Sequence, residues 1–105
     1  MTENEIKLKA IAALTALRSG ADTAFVSDLL AEVVPTQFAV PADATAQEVG
    51  QAVIEQVSAP LSALVNGFIL AFDALADAHD SAGPDVSTEQ ILQDLALALA
   101  REDTG

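Results

Sequence analysis

The segment Ser58 to His79, SAPLSALVNGFILAFDALADAH, sets what the rest of the chain must supply. No charged residue lies between Glu55 and Asp73. Read as a helix at about 100° per residue, the segment has three faces. Leu61, Leu64, Val65, Phe68, Ile69, Phe72 and Leu75 make a broad stripe of large side chains. Ala63, Gly67, Ala71, Ala74 and Ala78 make a second stripe in which every side chain is small. Ser62, Asn66, Asp73, Asp77 and Asp80 occupy the wet sector. A helix apolar over most of its circumference needs cover on at least two sides, which places a central apolar helix around residues 60–79.

Upstream, the pattern predicts a helix over Glu3 to Arg18, with Ile6, Ala10, Ala13, Leu14 and Leu17 inward and Gly20 as its C-terminal stop. Asp22 is positioned to cap a second helix, Thr23 to Val34, which Pro35 ends. Its Phe25, Val26, Leu29, Leu30, Val33 and Val34 predict a well-buried element. PTQFAVPADAT (35–45) is an extended connector anchored by Phe38 and Val40, and Thr45 with Glu48 forms a capping box that opens the next helix. Pro60 lacks an amide donor and disfavours helical geometry at Ala59, so the sequence leaves open whether one kinked helix or two follow. If unbroken from Ala46 to His79, it would measure about 50 Å. Gly83-Pro84 is a stop, and Ser87 with Gln90 is a second capping box for a last helix, Thr88 to Arg101. There Ile91, Leu92, Leu95, Ala98 and Leu99 form the expected core face, Leu97 lies opposite, and Glu102 to Gly105 reads as a frayed tail.

These elements predict one all-α domain over residues 1–105, an irregular or orthogonal bundle of four to five helices with no sheet. Its composition agrees, because alanine dominates a chain that is 51% hydrophobic with only four aromatic residues, all Phe. Sixteen Asp and Glu against four Lys and Arg give a formal net charge of −12. Such a field disfavours nucleic acid and anionic membranes and favours basic partners or cations. The alternative source of this acidity is the composition of the host proteome. With no Cys, disulfides and thiolate chemistry are excluded. Lys7 and Lys9 precede a short apolar run, but Glu3, Glu5 and Arg18 make it an amphipathic helix and not a leader. The uncharged run from Gln56 to Phe72 is interrupted by Pro60, Asn66 and serines and reads as a core helix of a soluble, cytoplasmic protein.

Chemistry-bearing residues are sparse. His79 is the only histidine, at the end of the central segment, where an imidazole would interact with the helix C-terminus. Asp73, Asp77 and Asp80 fall at i, i+4 and i+7, a spacing that could point carboxylates at a hard cation, although a solvated face is the better explanation. Gly20-Ala21-Asp22-Thr23 before a helix, with Phe38 to Pro41 and the helix after Thr45, is similar to acyl carrier proteins. Thr23 stands where that family carries the serine that bears its prosthetic arm, so the resemblance implies no cofactor here. The small-residue stripe lets another helix approach closely. Another helix of the same chain could fill it, or a second copy of the chain.

The reading is therefore a non-catalytic acidic interaction module (an adaptor, assembly factor or regulatory subunit) that self-associates as a homodimer. Its interface is placed on Ala63, Gly67, Ala71, Ala74, Ala78 and Leu97. No cofactor, nucleic acid or membrane partner is expected. Two alternatives are an acidic decoy that mimics nucleic acid and inhibits a basic protein, and a metal-dependent enzyme using His79 and the nearby aspartates.

Overall fold

In the computed structural model, which describes residues 1–104, the Thr2 hydroxyl accepts the Glu5 amide at 3.1 Å and opens α1, Glu3–Arg18. The helix ends in a Schellman arrangement: the amides of Gly20 and Ala21 reach back to the carbonyls of Leu17 and Ala16, at 3.2 and 2.9 Å. Gly20 has φ +95°, a conformation that a side chain would disfavour. The Asp22 carboxylate accepts the Phe25 amide at 2.8 Å and caps α2, Thr23–Ala31.

This second helix stops three residues short of the expected Val34. Its exit tightens into short-range bonds, Val33 to Leu30 and Val34 to Ala31, as Pro35 forces the preceding residue out of helical geometry. In the connector, no strand forms. Gln56 holds it with two reciprocal bonds to Ala39, its side chain accepting from the Ala39 amide at 2.9 Å and donating to the Ala39 carbonyl at 2.7 Å. Phe38 is half-buried, whereas Val40, expected to be a second anchor, is exposed.

Thr45 caps the amide of Glu48 at 3.2 Å, and α3 then runs unbroken as Ala46–Ser81 with Pro60 inside it. The open question about Pro60 resolves as one helix, which extends well beyond residues 60–79 at its start. Ser87 accepts the Gln90 amide at 3.2 Å and caps α4, Thr88–Thr104. Glu102 and Asp103 continue this helix, so the frayed tail expected there is helical; Gly105 lies outside the described residues. The chain is thus all-α, with four helices and no strand among the described residues.

Two compact units divide the chain, one up to Leu70 and the other from Ala71 onward. The first has a small core. Ile6, Val33 and Ala63 pack together with Leu64 against them, and Ala10, Ala13 and Val26 are also buried. Covering Ile6, Val26 and Val33 contributes on the order of 2 kcal/mol each, which leaves a modest margin. Several expected core residues stay in water, notably Leu17, Phe25 and Val34. Along α3, full burial falls only on the small stripe, at Ala63 and Gly67; of the large stripe Leu64 and Phe68 are half-buried, while Leu61, Val65 and Ile69 are exposed. Close packing against alanines explains the inversion, since two helices can approach only where neither presents bulk.

In the second unit, local hydrogen bonding fixes the turn between helices. The Asp80 carboxylate accepts from both the amide and the hydroxyl of Thr88, at 2.9 and 3.0 Å. The His79 imidazole bonds the Val86 carbonyl through Nε2 at 2.7 Å.

Candidate interaction surface

The structure splits the small-residue stripe in two. At Gly67 an added Cβ would lie 2.8 Å from the Ala10 Cβ and 2.9 Å from the Lys7 Cα. So close a crossing is possible only because α1 presents alanine and backbone at that level. Ala63 and Gly67 are therefore already occupied by the chain's own first helix, which corrects their assignment to an intermolecular interface. The rest of the stripe lies in the second unit, where Ala71 is half-buried and Ala74 and Ala78 are exposed. Leu97 is exposed as well.

The larger feature is one that periodicity had assigned to the core. Ile91, Leu92, Leu95 and Leu99, on one face of α4, are 47%, 46%, 56% and 54% exposed. On the α3 segment of the same unit, Phe72 and Leu75 are 43% and 66% exposed. No residue from Ala71 to Asp103 is buried. Six half-uncovered large side chains together leave several hundred Å² of mostly apolar surface in water. The unit holding them has only about 35 residues, too few for two helical segments to bury their own apolar faces.

Around these faces the charge is one-sided. From Ala71 onward the sequence has eight Asp and Glu and a single Lys or Arg, Arg101. Asp73, Asp77, Asp80, Asp85, Glu89, Asp94, Glu102 and Asp103 are all exposed. Asp73, Asp77 and Asp80 do not converge. Asp80 is engaged with Thr88, and no group of three His, Cys, Asp or Glu side chains among the described residues could hold a metal ion. The backbone hydrogen bond from Thr88 holds the Asp80 carboxyl below its usual range; partial desolvation opposes this, and the Thr88 hydroxyl and His79 assist it. His79 bonds the Val86 carbonyl in the following turn, not the carbonyls of its own helix end, where the sequence placed its contact.

The first unit contains a cavity of about 650 Å³ between the start of α1, the exit of α2 and α3 near Pro60. Its carboxylates are already paired, Glu3 with Lys7 at 3.3 Å and Glu32 with Lys9. The helix α3 is long and apolar enough, by length and composition, to cross a membrane. Comparison with protein-family models, with curated proteins and with solved structures gave no match.

Proposed function

We propose that this chain is a non-catalytic protein-interaction module, an adaptor, assembly factor or regulatory subunit, whose docking surface is the apolar face of its second unit. The observation that carries this reading is the exposure of Phe72, Leu75, Ile91, Leu92, Leu95 and Leu99 in a unit with no buried residue among those described. Burying such side chains contributes about 1.5–3 kcal/mol each, enough for a specific complex if only a few become anchors. An aqueous setting is supported by α1: it lies against α3 at Gly67, within the uncharged run, and brings Lys7 to that level. Charged side chains at mid-membrane depth are costly.

Paired baits from the native host test the proposal. The wild-type chain should recover a protein, or a second copy of itself, that a Leu95→Gln/Leu99→Gln chain fails to recover at equal folding and charge. Identical recovery with both baits, or recovery of nothing by either, contradicts the reading. The acidic-decoy alternative makes the opposite forecast, since it needs the carboxylates and not the leucines; a bait unaffected by the leucine changes but weakened by Asp94→Asn and Glu102→Gln would favour it.

A further inference from the structure

We infer that the occupant of the α4 face is a cationic amphipathic helix from a partner protein; this rests on the docking role proposed above and specifies its chemistry. The apolar strip Ile91, Leu92, Leu95 and Leu99 repeats at helical spacing, so its anchors fit the i, i+3, i+4 and i+7 side chains of an apposed helix. Glu89 and Asp94 flank this strip, and Glu102 and Asp103 stand at its C-terminal end, all four exposed. Arg101 is the one cationic side chain of the whole unit other than the histidine.

Charge decides between the two helical occupants. A second copy brings eight carboxylates and one arginine against the same set, and like charge across an interface costs affinity and slows encounter. A helix with Lys or Arg beside its leucines meets the flanking carboxylates instead, and gains on-rate as well as orientation. The two cases respond oppositely to salt. Screening weakens the cationic helix and strengthens self-association.

The test uses the full chain and a labelled peptide of Leu and Lys in amphipathic helical register, with a scrambled peptide of equal composition as control. Binding is read by fluorescence anisotropy at about 50 and about 300 mM salt, a range over which the screening length changes about 2.4-fold. The ordered peptide should bind at least about ten-fold tighter than the scrambled one, a difference of about 1.4 kcal/mol. Its affinity should fall with salt, and Leu95→Gln/Leu99→Gln should abolish the preference for the ordered peptide. Leu97→Gln, on the opposite face, should leave that preference intact. Equal binding of ordered and scrambled peptides, or insensitivity to the Leu95/Leu99 change, overturns the proposal. Sedimentation of the chain alone separates the remaining case: a dimer that tightens with salt and dissolves on Leu95→Gln/Leu99→Gln overturns the cationic partner while leaving the docking role standing. Absence of both peptide preference and self-association, with identical recovery by the paired baits, removes both.

Discussion

At Gly67 the close approach of α1 turns one hydrogen atom into a packing requirement. Placing a methyl group there pushes against the Ala10 Cβ and, at 2.9 Å, against the Lys7 backbone, which cannot swing away as a side-chain tip would. Gly67→Ala should therefore destabilise the first unit by up to ~2 kcal/mol, the balance of an overpacking cost of ~1–3 kcal/mol and a helix-propensity gain of ~1 kcal/mol. In a denaturant titration, Ala10→Gly should absorb part of that loss, giving a measurable coupling between the two positions. Strict additivity would place the strain elsewhere. Asp80 makes a separate residue-scale prediction. A carboxyl whose folded pKa lies below its ordinary 3.8 contributes stability above the unfolded value, and loses it as pH falls through the folded one. The Thr88 amide resonance should accordingly hold steady on acidification to about pH 4 and shift only below it. A midpoint above the ordinary carboxyl value would show that the Asp80–Thr88 bond is not formed.

Among the elements, the connector and α3 depend on each other through one side chain. Gln56 bonds the Ala39 amide and carbonyl and also its own helix at Ala52. Gln56→Ala should free residues 35–45, so that limited proteolysis cuts there faster, with a stability cost of about 1–2 kcal/mol. An unchanged cleavage pattern would mean that Phe38 alone anchors the segment. Helix boundaries were legible wherever a cap carries its own chemistry, as at Asp22, Thr45 and Ser87, and at the glycine stop after α1. The end of α2 was not, because the constraint at Val34 comes from Pro35 while the tightening begins at Glu32, a residue with no stop signal of its own. Pro60 could not be read from the sequence because its local cost, about 3 kcal/mol in a helix interior, competes with an apolar stripe that runs through it in phase. Nor could the side of α3 that would be covered: periodicity identifies faces, whereas the neighbour that fills a face is a tertiary fact.

For the whole molecule, the two units differ in what they bury. Up to Leu70, a small core of Ile6, Val33 and Ala63 is built from α1, the exit of α2 and α3. From Ala71 onward the apolar residues are fewer, sixteen in all, and none of them is buried. The fold class was visible in the sequence. The exposed α4 face was invisible, since Ile91, Leu92, Leu95 and Leu99 have the same spacing whether they face a core or a partner. Native-state hydrogen exchange on the dilute chain, confirmed as monomeric under the same conditions, tests this contrast most directly. Strong protection is expected over Ile6 to Ala13 and Ala63 to Gly67, and near-unprotected exchange over Ile91 to Leu99 until a partner is added. Protection of α4 in the free monomer equal to that of α1 would mean that its apolar face is already covered within the chain, and would contradict the docking role.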